Sequence, residues 1–208
     1  MIDDGVIKFS FKKFQETPPL SEDEFQEIES CRKILFQKNL IGEYLPEKIG
    51  FGNISIKKDY SQYQKTKNPQ FVITGTQTGG IESLSGQYYT RVVDFDLEQQ
   101  NLTCAGPIKA SSESLTHGAI YLADENIAAI VHIHSEKIWN EMLKANYPKT
   151  SKDTPYGTLE MAQEVQDLIE KHNAKNIVME GHQDGVICIG STIEEACLGA
   201  LSLHERFI

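Results

Sequence analysis

Apolar and polar positions change period several times along the chain, and each change marks an element. Val6 to Phe14 alternates, with Phe9 and Phe11 set against Lys8, Ser10 and Lys12, which predicts a strand. Pro18-Pro19 interrupts it. Ser21-Glu22-Asp23-Glu24 then has the form of a capping box with acidic residues in the first turn. Phe25, Ile28, Cys31 or Arg32, Leu35 and Phe36 continue it as a helical stripe, with Gly42 as the expected stop. Ile49 to Ile56 is a glycine-punctuated entry into a strand, and the polar stretch from Lys57 to Pro69 predicts a hairpin loop. Phe71–Thr74, Tyr88–Leu97 and Leu102–Ala105 predict three further strands, the last two joined by a turn over Glu98–Asn101. Asp94 and Asp96 alternate with apolar neighbours and are expected on an exposed strand face.

The second half continues the alternation. Leu115, Ala119 and Leu122 share one helical face, with Ser111 or Ser112 as the expected N-cap and Glu113 in the first turn. Ile127 to Val131 is an apolar, partly β-branched run of strand length. Ile138, Met142 and Leu143 predict a short helix; after the loop Asn146–Pro155, Leu159, Ala162, Val165, Leu168 and Ile169 predict a longer amphipathic one. Asn176–Glu180 and Val186–Ile189 are short β runs, and Ile193–Phe207 closes as a helix. Mixed α and β elements over 208 residues are enough for one domain with its own core, residues 1–208, in which the N-terminal strand segment 1–19 precedes the first helix.

Charge and composition narrow the function. A net charge of −10 argues against nucleic-acid or anionic-membrane surfaces, so an anionic substrate would need local N–H groups, hydroxyls or a metal to hold it. No apolar run reaches transmembrane length and no basic-then-apolar leader opens the chain, so a soluble cytoplasmic protein is expected. Cys31, Cys104, Cys188 and Cys197 are scattered without a Cys-x-x-Cys pair, and predict buried free thiols rather than a structural zinc site.

The candidate chemistry gathers at the ends of these elements. On a strand, residues two apart point to one face, so His132 and His134 would project together from the end of the Ile127–Val131 run. Glu180-Gly181-His182-Gln183-Asp184-Gly185 follows Ile177-Val178-Met179 and could bring a third histidine to the end of another strand. Three protein ligands with an open position are the arrangement of a catalytic metal. Asp184 is an alternative third ligand, or an acceptor for a ligand's N–H. Glu113 and His117 share a helix face at i, i+4, and His117 would either orient Glu113 or make a structural hydrogen bond. Ser111 and Ser112 at a helix start, and the loop Gly75-Thr76-Gln77-Thr78-Gly79-Gly80, can cradle an oxyanion with N–H groups and hydroxyls. His172 and His204 lie among polar neighbours and are expected on the surface.

Ser111-Ser112-Glu113, His132-Ile133-His134, Gly52-Asn53-Ile54-Ser55, Phe71-Val72-Ile73-Thr74-Gly75, His117 and the closing Gly190…Ile193-Glu194-Glu195-Ala196, in this order, resemble the class II aldolase/adducin family, typified by fuculose-phosphate aldolase and ribulose-phosphate 4-epimerase. The resemblance implies a three-layer α/β/α fold with a largely antiparallel central sheet. It implies a homo-oligomer, with a tetramer favoured, and a divalent metal, zinc favoured, on His132, His134 and His182. Glu113 would be the proton shuttle for an enediolate. Gly52, Asn53, Thr74, Gly75, Ser111 and Ser112 would hold the phosphate of a small substrate. Three readings follow: an aldolase or epimerase on a sugar phosphate, a related dehydratase or decarboxylase, and a non-catalytic adducin-like assembly module. The chain departs from the family pattern in four places, the mildest being Ala110, where the family often has proline. Its Thr-Gly loop is longer and lacks proline, and His182 sits two residues further from the following glycine. The segment after His134 is shorter where aldolases place a tyrosine that completes a neighbour's site; Tyr147 and Tyr156 lie nearby, and neither is matched to it.

Overall fold

A computed structural model describes residues 5–208. Ten strands and five helices are seen among them, in the order β1 (Ser10–Glu16), α1 (Glu22–Gln37), β2 (Gly42–Tyr44), β3 (Ile49–Phe51), β4 (Asn53–Lys57), β5 (Phe71–Thr74), β6 (Tyr89–Asp96), β7 (Asn101–Gly106), α2 (Ser114–Ala123), β8 (Ala129–His134), α3 (Glu136–Lys144), α4 (Leu159–His172), β9 (Asn176–Val178), β10 (Gly185–Gly190) and α5 (Ile193–Phe207). Eight strands form one sheet in the order β1-β7-β6-β5-β4-β8-β10-β9, and β2 and β3 form a separate hairpin. Every neighbouring pair in the large sheet is antiparallel except β1 with β7.

Strand alternation sorts the core into two layers. Val131 and Ile133 of β8 and Val186 and Cys188 of β10 pack with Phe25, Ile28 and Leu35 of α1, Ile138 and Met142 of α3 and Ala196 and Ala200 of α5. Ile130 of β8 and Ile187 and Ile189 of β10 face Leu115 and Ile120 of α2 and Met161 and Val165 of α4. The result is the expected α/β/α arrangement, with β8 flanked by β4 and β10.

Several local expectations shift. The first strand begins at Ser10, not Val6, and runs to Glu16 beside β7. Ser21 and Glu24 do close a capping box, Ser21 N–H donating to Glu24 Oε2 at 3.1 Å. The helix it starts ends at Gln37, before Gly42, which instead opens β2. The stripe on α1 also hides a polar cluster. Glu29 Oε2 accepts from Arg32 Nε at 3.0 Å and from the Tyr89 hydroxyl at 2.7 Å, Glu29 Oε1 accepts from Leu84 N–H at 2.8 Å, and Arg32 donates onward to the Ile81 carbonyl. This network ties α1 to the segment before β6, with both charges buried.

Ile49–Ile56 is two strands rather than one. Gly52 separates them at φ +78°, a left-handed conformation, and a Cβ there would lie 2.7 Å from Ile41 Cγ1 and 3.2 Å from the His132 carbonyl. Asp94 is half-buried and accepts from Gln64, Thr66 and Asn68 at 2.7, 2.7 and 3.0 Å, so it pins the 58–70 loop. Leu115 and Ala119 are buried as their spacing requires, but Leu122 is 42% exposed. All four cysteines are free and buried. His172 is exposed and His204 half-buried.

Candidate metal centre

β8 carries two of the three histidines. Its odd-numbered residues Val131 and Ile133 fill the α1/α3/α5 layer, so His132 and His134 must point to the other face, towards α2. Antiparallel pairing sets what lies beside them. His132 stands opposite Asn53 of β4 and Ile187 of β10, and His134 stands opposite Gly185. The 179–185 turn between β9 and β10 then returns His182 over Gly185, His182 N–H bonding to the Met179 carbonyl at 3.0 Å. Gly185 leaves room for the rings: a Cβ would lie 3.1 Å from both His132 Cε1 and His182 Nδ1, close enough that they would have to give by a few tenths of an ångström.

Nitrogens of His132, His134 and His182 lie within 4.8 Å of one another, and all three rings are buried. The nitrogens of His132 and His134 that face each other, both Nε2, are 2.9 Å apart. A tetrahedral zinc with Zn–N of about 2.0–2.1 Å spaces its nitrogens by roughly 3.3 Å, so small ring shifts suffice. Asp184 stands outside this cluster, with its backbone carbonyl accepting from Ser135 N–H.

The outer nitrogens of two of the rings are held by hydrogen-bond partners. His132 Nδ1 is 3.2 Å from the Val186 carbonyl, which can only accept, so that nitrogen carries a proton. His134 Nδ1 is 2.7 Å from the Tyr44 hydroxyl. Burial, reinforced by the charges of His132 and His182, holds His134 well below the ordinary histidine range, hence neutral. These are the contacts that orient metal-ligating imidazoles.

Glu113 closes the site from the side of α2. It is the N-cap residue of that helix, not a first-turn residue as expected, and its carboxylate reaches His132 Nε2 at 2.9 Å and His182 Nδ1 at 3.2 Å. The second approach is not aligned as a hydrogen bond, and Glu113 Oε1 is buried without an aligned donor among the described residues. Asn53 Nδ2 is 3.4 Å from Glu113 Oε2. Burial raises the carboxyl's pKa, but the neighbouring His132 and His182 outweigh it and hold Glu113 well below the usual carboxylate range. The carboxylate and the His134 Nε2 lone pair both approach His132 Nε2, and such groups repel unless a proton or a cation lies between them. The donor set, the orphan oxygen and the Gly185 cradle fit a divalent cation.

His117 does not touch this carboxylate. Its Nδ1 pairs with Ser55 Oγ at 2.7 Å, and Ser55 Oγ pairs with the Tyr121 hydroxyl at 2.7 Å. Burial lowers its pKa to about 3, so it is a neutral structural group.

Gly52, Asn53, Gly75, Ser111, Ser112, Glu113 and the three histidines line one cavity, together with Thr76, Gln77, Thr78 and Gly79 of the glycine-threonine loop. Thr74 does not line it; its hydroxyl accepts from Ile54 N–H at 3.3 Å between β5 and β4. Sequence reasoning missed two aromatic neighbours, Tyr44 and Phe51, and left a third, Tyr156, unmatched. Tyr44 bonds His134, the Phe51 ring lies 5.4 Å from that of His134, and Tyr156 stacks on His182 at 4.5 Å and 24°. The first two sit on the small β2–β3 hairpin, whose three-residue strands carry no period strong enough to mark them.

The sequence profile of the class II aldolase and adducin N-terminal domain matches residues 39–207. Among solved structures, YgbL of Klebsiella pneumoniae, a candidate aldolase/epimerase/decarboxylase, is 18% identical with a TM-score of 0.65, covering 88% of this chain and 86% of that one. L-fuculose-1-phosphate aldolase of Thermus thermophilus is 21% identical with a TM-score of 0.60, covering 88% of each chain. A sugar-phosphate aldolase of Thermotoga maritima is 16% identical with a TM-score of 0.65, covering 88% and 91%. No curated protein matches the sequence. At these identities the structural likeness is one of fold, and the profile match, which spans most of the chain, carries the assignment: the chain belongs to the class II aldolase and adducin family.

Proposed function

We propose that the protein is a metal-dependent lyase or epimerase acting on a small hydroxy-carbonyl compound, with a sugar phosphate as the favoured substrate class. One observation carries this reading: three buried imidazoles from β8 and the β9–β10 turn converge, with an ionised carboxylate facing them. A non-catalytic assembly module has no use for such a cluster, since a buried carboxylate is costly without compensation.

His132, His134 and His182 would hold a divalent cation, which when bound would supply positive charge beside the substrate's carbonyl oxygen. Zinc is favoured, because an all-imidazole set suits it. Val186 and Tyr44 fix the rings of His132 and His134. Glu113, ionised at neutral pH, takes a proton from the carbon beside the carbonyl in the bond-forming direction and returns it on cleavage. Asn53 steadies that carboxylate. Ser111, Ser112, Gly52, Asn53, Gly75 and the Thr76–Gly79 backbone receive the anionic end of the substrate. No lysine or arginine is among the described residues lining the cavity, so hydroxyls and N–H groups do this work. A dehydratase or decarboxylase variant of the same chemistry is the second reading; YgbL, a candidate aldolase/epimerase/decarboxylase, shares the fold.

The test pairs metal analysis with turnover. Wild-type protein should hold stoichiometric zinc and cleave members of a ketose-phosphate panel. His132→Ala should lose tight metal binding, whereas Glu113→Gln should keep the metal and lose at least about a hundredfold in turnover. Stoichiometric zinc on His132→Ala would refute the ligand set. Zinc without cleavage of any ketose phosphate would favour the second reading.

A further inference from the structure

The segment before β1 lies outside the span matched by the family profile, yet it reaches the metal centre. Gly5 is part of the cavity wall. Val6 N–H donates to the Tyr156 hydroxyl at 3.1 Å, and that hydroxyl lies 3.4 Å from the Val6 carbonyl. Lys8 Nζ sits 3.9 Å above the Tyr156 ring. The opposite face of the same ring lies flat on His182, 4.5 Å between centroids and 24° between planes. Tyr156 is 4% exposed and is thus gripped on its hydroxyl and both faces. The strap is itself anchored, because β1 pairs with β7 from Ser10 onward and Ser10 N–H bonds to the Gln100 carbonyl at 2.9 Å.

His182 needs such help more than its partners do. His132 and His134 are rigid by position, on a central strand with neighbours on both sides. His182 sits in the 179–185 turn, two residues from Asp184 in a left-handed conformation at φ 66°. A ring on a turn is oriented by what it packs against.

We propose that Tyr156, held by the N-terminal strap of Gly5 to Lys8, is the positioning residue for His182, so that the strap belongs to the metal centre. This rests on the three-histidine reading. The strap completes from within the chain a wall that the family profile does not include. Gly5 is suited to it: it has φ +75°, and a Cβ would run into the Gln77 side chain, which is engaged with Gly50 N–H at 2.7 Å.

The test measures zinc affinity by competition with a chromophoric chelator, and the rate of zinc extraction, on the full chain well below its melting temperature. Tyr156→Leu, which removes the stack, should weaken zinc binding about tenfold or more and speed extraction. Tyr156→Phe keeps the ring but loses the Val6 contacts, and should give a smaller change in the same direction. Gly5→Val should loosen the strap and reproduce part of the Tyr156→Leu effect without touching any ligand or Tyr156 itself. Ordinary packing roles would instead lower the melting temperature of the metal-free protein and leave the affinity alone. The proposal is overturned if folded Tyr156→Leu, or both milder variants should it fail to fold, bind and release zinc within twofold of wild type. Failure of the ligand reading looks different: wild-type protein would then bind no zinc tightly, or His132→Ala would retain it.

Discussion

Tyr44→Phe removes the oxygen that meets His134 Nδ1 behind the candidate metal centre and little else. The Tyr44 hydroxyl lies 2.7 Å from His134 Nδ1. When His134 Nε2 is a ligand, Nδ1 carries the proton and the tyrosine oxygen accepts it. Phenylalanine keeps the ring contact with Phe51, 4.6 Å between centroids, so packing of the β2–β3 hairpin is preserved. What is lost is an acceptor for a buried N–H, worth about 1–3 kcal/mol. Expressed as affinity, that is about a fivefold to 150-fold weakening, which brackets the roughly tenfold to hundredfold found when partners of metal-ligating histidines are removed. Zinc affinity by chelator competition at fixed pH reads the effect directly, with the melting temperature of the metal-free protein as the control. If Tyr44 instead donates to Nδ1, then His134 Nε2 carries the proton, cannot bind a metal, and Tyr44→Phe would leave zinc affinity within twofold of wild type. That result would refute the orientation argued for His134.

Two further predictions address the fold. His117 has its pKa lowered by burial to about 3, against about 6.5 unfolded. Between those values the unfolded chain binds the extra proton, so stability falls as pH drops below about 6.5. Metal-free wild type should therefore lose about 2 kcal/mol more between pH 7 and pH 5 than His117→Asn does, by urea unfolding; parallel losses would show that His117 is not held neutral. Glu29→Ala leaves buried Arg32 without its carboxylate partner and strips the Tyr89 hydroxyl and Leu84 N–H of their acceptor. It should cost about 3–5 kcal/mol and lower the melting temperature by roughly 6–20 °C, with zinc affinity unchanged; a drop of only a degree or two would mean that water replaces the network.

Much of the architecture was legible because periodicity encodes which side of an element meets the core. The alternation of Ile130, Val131, His132, Ile133 and His134 says that the two histidines share a face, and they do. Phe71–Thr74 and the Ser21 capping box fall where local rules put them. Boundaries failed where a neighbour decided them. Gly42 reads as a helix stop but is used to open β2, and Gly52 splits one apparent strand because it takes a left-handed φ of +78° beside Ile41 and the His132 carbonyl, where a Cβ would not fit. Leu122 matches the helical period of Leu115 and Ala119 yet stands near the end of α2, where its side is left open to solvent.

For the site, the chain by itself determined the chemistry available: paired imidazoles on a strand end, a carboxylate at a helix start, and a loop of glycines and hydroxyls. Only the tertiary structure decided which groups meet. The β8–β10 pairing brings His182, rather than Asp184, against His132 and His134, because the turn folds back over Gly185 and its missing side chain leaves room for two rings. His117 is drawn to Ser55, Thr74 to the backbone of β4, and Tyr44 and Tyr156 to the histidines from segments with no periodic signal. Periodicity follows from neighbours three or four residues apart in a helix and two apart in a strand; a contact between residues separated by most of the chain leaves no such trace and exists only once the sheet has set its register.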